Sequence, residues 1–426
     1  MKSSPKLLLL LLLVSTNALA RVDKINGDLD KFLRDRIEFF KILALPALPK
    51  NSNTAQLELG KRLFMETDLS GNRTMSCMTC HNPITGTSDS LPLSRTEDNN
   101  GILRRNSQAL FNLGNHSFMF WDGRVHYDSS KKIFTTPEPN LPFEITKIMT
   151  SALSAQALFP MVSSAEMKGK MGENEIADAK NNLEAWDRIV IRLKNQKNEN
   201  SHQKNYSQLF MQAYPETDLE KINIGHVAEA IGAFEKEQFQ SVGSPFFRYL
   251  NGDTDALSEK QKRGFAIFVD SGKCIACHQG GELGNNTFFA SVGVPQWGAD
   301  PVTADLGRGE INHETFRNYF FRTPSLLNIS LTAPYMHNGA FKNLREVINH
   351  YSNINSSLKN YEIPEDRKSS MPVAIGVEKN PAKLQEVWSS IQAPFLRQGL
   401  MFSESEKDDL EAFLSEALTD PKWKTQ

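Results

Sequence analysis

Cys77-Met78-Thr79-Cys80-His81 and its second copy, Cys274-Ile275-Ala276-Cys277-His278, are the stretches whose reading decides this chain. Each is Cys-x-x-Cys-His, the attachment pattern for c-type haem. The spacing suits that chemistry because two thiols must reach the two vinyl groups of one porphyrin while the adjacent imidazole turns in to bind the iron. A dithiol redox pair or a zinc half-site also presents Cys-x-x-Cys, but neither calls for the histidine that follows at once in both copies. All four cysteines of the 426-residue chain lie in these motifs, which leaves none for a disulfide. The expectation is two covalently bound c-type haems, with His81 and His278 as iron ligands.

The N-terminus fits that expectation. Lys2 and Lys6, an apolar run over residues 7–14 and Ala18-Leu19-Ala20 read as a cleavable secretory signal, residues 1–20. The run is too short to span a bilayer. Covalent haem attachment takes place outside the cytoplasm, so the reading is a soluble periplasmic protein with no membrane anchor. The formal net charge is −2, and losing Lys2 and Lys6 makes the mature chain more acidic. That balance argues against a nucleic-acid partner. Length allows two or three domains, each able to bury a core.

Helical periodicity dominates the rest. Residues 28–42 place Leu29, Phe32, Leu33, Ile37 and Phe40 on one stripe, a docking helix stopped by Pro46 and Pro49. Thr54 is the expected cap of a helix running to Met65, and Ser258 with Gln261 forms a capping box for another. Gly60 precedes Phe64 by four residues and Gly264 precedes Phe268 by four, a weak repeat ahead of each haem motif. Further apolar faces are Leu183, Trp186, Ile189, Val190 and Leu193, then Val227, Ala230, Ile231 and Phe234. Residues 135–142 and 195–207 read as loops, and Ser241-Val242-Gly243-Ser244-Pro245 as the domain boundary. Residues 352–398, with four prolines, read as a long irregular insertion before a last helix capped by Ser403 and Glu406. Asn343 and Glu346 cap a helix from Leu344 on which Leu344, Val347, Ile348 and Tyr351 share a face while His350 points away. The fold class is therefore mainly α. The repeat fits two fused class I cytochrome c-like domains, a signal at 1–20 being followed by one haem domain at 21–243 and a second at 244–426.

Phe120-Trp121-Asp122-Gly123-Arg124, residues 156–167, Phe321-Arg322-Thr323-Pro324 and Leu331-Thr332-Ala333-Pro334-Tyr335-Met336-His337-Asn338-Gly339 resemble the bacterial di-haem cytochrome c peroxidase and MauG superfamily. The resemblance runs from about residue 42 to 351 and includes the last helix. It implies that Trp121 sits between the haems as an electron relay; by itself Trp121 reads as a core aromatic. It implies that Glu166 is the distal acid of the first haem, able to take a proton from one peroxide oxygen and deliver it to the other. Alone, Glu166 reads as a solvated charge. Gln156 and Pro160 would line the same distal pocket. Asn106, with the carbonyls of Thr332 and Pro334, matches a calcium site of hard oxygen donors, and otherwise Asn106 is a turn residue. Arg322 resembles a residue that meets haem propionates, where its fork suits a carboxylate; a surface arginine looks the same.

At Tyr351 the chain departs from members that place a methionine ligand at the second haem, and it agrees with MauG-like ones. The alternative there is a core tyrosine bonded to a propionate or the backbone. Gly272 stands where MauG has a tryptophan that passes oxidation to its protein substrate. The implied function is hydrogen peroxide reduction at the His81 haem with electrons from a small cytochrome c or cupredoxin through the His278 haem. The alternatives are a MauG- or MbnH-like oxidase of a tryptophan on a partner protein, and a non-enzymatic di-haem electron carrier.

Overall fold

The molecule, described by a computed structural model over residues 28–196 and 205–424, is mainly helical. The expected signal at 1–20 and residues 197–204 of the polar loop lie outside the described residues. The helices that position the site are α1 (Leu29–Phe40), α2 (Thr54–Met65), α3 (Asn182–Asn195), α4 (Ile224–Gln238), α5 (Glu259–Val269), α6 (Leu344–Ser352) and α7 (Glu404–Ala412). Asp28 caps α1, and the boxes of Ser258 with Gln261 and Ser403 with Glu406 open α5 and α7 as expected. The cap of α2 is Asn53 rather than Thr54. Asn53 accepts from the Gln56 N–H at 3.0 Å while its own amide donates to the Ala213 carbonyl, a second anchor that local sequence does not reveal. At α6, Asn343 accepts from Glu346 N–H, but the Glu346 carboxylate reaches past the box position to the N–H of Lys342.

The glycine repeat marks two equivalent helix crossings. A Cβ on Gly60 of α2 would overlap the Ala230 carbonyl of α4, with Phe234 Cβ at 2.8 Å. A Cβ on Gly264 of α5 would overlap the Asp409 carbonyl of α7, with Phe413 Cβ at 2.7 Å. Glycine costs each helix about 1 kcal/mol relative to alanine, and is kept where two backbones must touch. Around the first crossing lies a core that includes Leu63, Phe64, Trp186 and Phe210; around the second lies one that includes Phe246, Phe265, Phe268 and Phe413.

The two ends of the described chain exchange cores. Helix α1 belongs by sequence to residues 21–243, yet Leu33 and Ile42 bury into the second core, and Asp30 accepts from Tyr249 and Lys262 at 2.7 and 2.9 Å. Trp423, near the end of the described chain, packs on Phe111 and Phe239 of the first core. An amphipathic stripe says which face is buried, not what buries it.

The segment expected to be an irregular insertion, 352–398, is instead built largely of short helices. It holds helices Ile354–Asn360, Glu365–Ser370, Pro381–Ser390 and Pro394–Gln398. Pro381 and Pro394 open helices and Pro364 precedes one, positions where proline's fixed φ and missing N–H are favourable. The strands are short: β1 (Phe118–Met119), β2 (Val125–Asp128), β3 (Ile133–Thr135), β4 (Asn285–Ala290), β5 (Trp297–Ala299), β6 (Phe321–Thr323) and β7 (Ile375–Val377). They form an antiparallel β1-β2-β3 sheet and two antiparallel pairs, β4 with β6 and β5 with β7. The last pair ties the insertion to the second half.

Candidate functional site

Both Cys-x-x-Cys-His motifs fold into single tight turns, Cys77–Cys80 helical and Cys274–Ala276 of 3₁₀ type. In each, the histidine Nδ1 meets a backbone carbonyl: His81 with Thr87 at 3.1 Å and His278 with Leu283 at 2.9 Å. A proton held on Nδ1 leaves the Nε2 lone pair for a metal. Burial also lowers both imidazoles, His278 to about 4, so the neutral, ligating form prevails. No disulfide joins any of the four cysteines. Burial pushes them up, Cys80 and Cys274 to about 12 and Cys277 to about 11. Thiols held protonated in this way are poor nucleophiles, which speaks against a dithiol redox centre.

Beside the second motif lies a cavity of about 250 Å³. Cys274, Cys277 and His278 line it, and so do Tyr351, Arg322 and Trp121. The α6 face expected from periodicity is the one presented, since Leu344, Val347, Ile348 and Tyr351 all face the cavity. His350 turns away with both nitrogens engaged, Nδ1 with Ser357 Oγ at 2.9 Å and Nε2 with the Val292 carbonyl at 2.8 Å. Burial, with the neighbouring Cys277 and Cys274, raises the Tyr351 phenol.

Arg322 is buried on β6, donating to the Phe120 carbonyl and to His116 Nδ1, whose Nε2 meets Glu282 at 2.7 Å. Burial lowers the guanidinium to about 10, against the pull of Glu282 and Asp122, so it is still charged at neutral pH. Trp121 donates from Nε1 to the Asn106 carbonyl at 2.9 Å, and its own carbonyl accepts from Arg322 N–H at 2.8 Å. The Asn106 amide donates to the Leu91 carbonyl, and Asn106, Thr332 and Pro334 lie along the same cavity.

At the first motif, Glu166 is half-buried on a turn closed by its N–H to the Ser163 carbonyl. Gly71 N–H donates to Met167 O at 2.6 Å and pins that turn beside the motif. The charge of Glu166 is felt at both Cys80 and His81, as is that of Asp89. Gln156 ends the short helix Ala152–Gln156 and Pro160 opens the next turn. Among the described residues, the Gln156 side chain makes no hydrogen bond to Glu166 or to the motif.

Sequence reasoning did not foresee the groups that hold this arrangement. Arg105 binds Asp305 with Nε and a terminal nitrogen at 2.7 and 2.8 Å and Asp122 at 2.5 Å, clamping the Trp121 segment to the other half of the chain. His337 stacks on Phe321 with ring centroids 3.6 Å apart, faces the cavity, and has a buried Nε2 without a partner. Asp122 adjoins Trp121 and Arg105 adjoins Asn106, but nothing local pairs Arg105 with a residue 200 positions away. The residues present fit a haem. Two free thiols sit beside an imidazole with one nitrogen open, and the apolar cavity also carries a buried guanidinium and an orphaned imidazole nitrogen.

Fold and site together define a mainly helical protein built around two c-type haem motifs. The model for the di-haem cytochrome c peroxidase family matches residues 54–255. The chain is 30% identical over 298 residues to cytochrome c551 peroxidase of Pseudomonas aeruginosa, covering 69% of this chain and 70% of that one. It is 29% identical over 326 residues to the methylamine utilization protein MauG of Methylophilus methylotrophus, covering 75% and 79%. The crystal structure of a MauG-like protein associated with microbial copper homeostasis superposes with a TM-score of 0.60 at 25% identity, covering 90% of this chain and 94% of that one. The chain belongs to the di-haem cytochrome c peroxidase family, to which MauG is related. It is a di-haem peroxidase, an oxidoreductase acting on peroxide.

Proposed function

We propose a periplasmic enzyme of two class I cytochrome c-like domains, residues 21–243 and 244–426, that reduces hydrogen peroxide at the first motif. The exported state rests on the signal pattern at 1–20, and no helix among the described residues is long and apolar enough to cross a membrane. Cys77 and Cys80 would hold one haem covalently, with His81 offering its open nitrogen to the iron; Cys274 and Cys277 would hold the other, with His278 and Tyr351 beside it. When bound, these groups supply redox-active iron that exchanges electrons with peroxide and with a donor. Glu166 takes the proton from one peroxide oxygen and returns it to the leaving one, with Gln156 and Pro160 shaping the same pocket. Trp121 provides a π system between the two motifs, held in orientation by Asn106. Arg322 receives a propionate, and Asn106 with the carbonyls of Thr332 and Pro334 binds one calcium ion. Electrons come from a small redox protein, a cytochrome c or a cupredoxin.

One observation carries this reading: a carboxylate whose charge reaches His81 at one motif, and a tyrosine beside His278 at the other, give the two centres different chemistry. A plain electron carrier needs no such acid. Tyr351 also favours a second reading, MauG-like oxidation of a tryptophan on a partner protein, because an anionic oxygen ligand stabilises oxidised iron; Gly272 in place of the relay tryptophan speaks against it. The test is rapid mixing of peroxide with the di-haem protein. Glu166→Gln slows the spectral change by roughly 10²-fold or more while keeping both haems, and an unchanged rate removes Glu166 from the mechanism.

A further inference from the structure

The two helix crossings are related position by position. The backbone that meets Gly60 is Ala230 and the backbone that meets Gly264 is Asp409, with Phe234 and Phe413 next to the same glycines. Glu235 of the first crossing therefore stands where Leu414 stands in the second, and Ile231 where Leu410 stands. Leu410 and Leu414 both line the cavity of the second motif. By this register Glu235 takes, at the first motif, the place of a leucine that lines the cavity of the second, and its charge is felt at Cys77. Glu235 is 5% exposed, and its Oε2 has no partner. A leucine serves the equivalent place, so packing alone does not explain a carboxyl there.

We propose that Glu235 is a proton-binding group in the wall of the first haem pocket, taking up a proton when that haem gains an electron and releasing it when the haem is oxidised. The balance is one electron from the donor protein onto the haem and one proton from solvent onto a Glu235 oxygen, so the pocket's net charge is unchanged. The driving force is the cost of uncompensated charge in a dry interior.

Burial raises this carboxyl to about 8, and burial is the only cause. The elements packed on α4 supply no opposing charge. Helix Ala152–Gln156 and turn Leu113–Asn115 carry no charged side chain. Glu58, Lys61 and Arg62 of α2, and Glu144 of helix Phe143–Thr146, do not act on it. Nor do Glu184, Asp187, Arg188, Arg192 and Lys194 of α3. Cys77 of the motif turn feels it.

The inference rests on the reading of the first motif as a haem site. The test is spectroelectrochemical titration of each haem in the intact di-haem protein, at pH values on either side of about 8. In the wild type the midpoint potential of the first haem falls as pH rises through that range. Glu235→Gln removes the slope and raises the potential at the alkaline end, because no carboxylate is left to favour the oxidised iron. Glu166→Gln keeps the slope, which separates Glu235 from the distal acid. Glu235→Leu, copying the second crossing, gives the same flat profile and serves where the glutamine variant loses haem. A slope that persists in Glu235→Gln or Glu235→Leu with both haems attached overturns the proposal. A protein whose mass shows no haem at Cys77 and Cys80 overturns the underlying reading with it, so the two failures are distinguishable.

Discussion

Replacing Arg105 with alanine strands two carboxylates that are 2% and 5% exposed, Asp122 and Asp305. Removing one partner of a buried ion pair costs about 3–5 kcal/mol because the remaining charge is left uncompensated. The structure places this case at the low end. Arg124 still reaches Asp122 at 3.0 Å, and Arg104 stands 3.7 Å from Asp305. The expected loss is therefore about 3 kcal/mol, roughly 10²-fold in the folding equilibrium at 1.36 kcal/mol per decade. Guanidinium unfolding of the di-haem protein, followed by circular dichroism, measures it. The pH dependence has a definite sign. Burial alone would raise both carboxyls, but the charge and hydrogen bonds of Arg105 outweigh it and hold them below the ordinary range. Their contribution is complete above the unfolded value of about 3.9, and is lost as pH falls through the lowered folded values. The deficit of Arg105→Ala should thus be largest at neutral pH and shrink on acidification, as the stranded carboxyls take up protons. A loss below about 1 kcal/mol at neutral pH, well under the buried-pair range, or one that grows on acidification, refutes the clamp.

Tyr351→Phe removes the phenol oxygen from the second cavity, so it should change the spectrum of the second haem and leave the first nearly intact. His350→Ala should lower stability through its lost bonds to Ser357 and Val292 without altering that spectrum, and the reverse pattern would make His350 the ligand. Gly60→Ala drives a methyl into the Ala230 carbonyl, and Gly264→Ala does the same at Asp409. Each should cost about 1–3 kcal/mol of overpacking and disturb chiefly the haem beside its own crossing, as read by haem content per motif. Equal effects on both haems would show that the two cores do not respond separately.

The two haem motifs were legible because covalent chemistry demands contiguous residues at fixed spacing. Helix α6 was legible because a period near 3.6 places Tyr351 with Leu344, Val347 and Ile348, and it puts His350 elsewhere. The glycine repeat could be seen, but only the crossing shows that Gly60 and Gly264 touch backbone, and so relates Glu235 to Leu414. The prolines of residues 352–398 misled because proline breaks a helix interior yet starts a helix well, and local sequence does not say which side of it the helix lies on. What lay beyond reading was every pairing across the chain: α1 on the second core, Trp423 on the first, and Arg105 between Asp122 and Asp305. A stripe or a charge records that a residue must be buried or paired. Which partner meets it depends on chain closure over hundreds of residues, and that the tertiary structure alone decides.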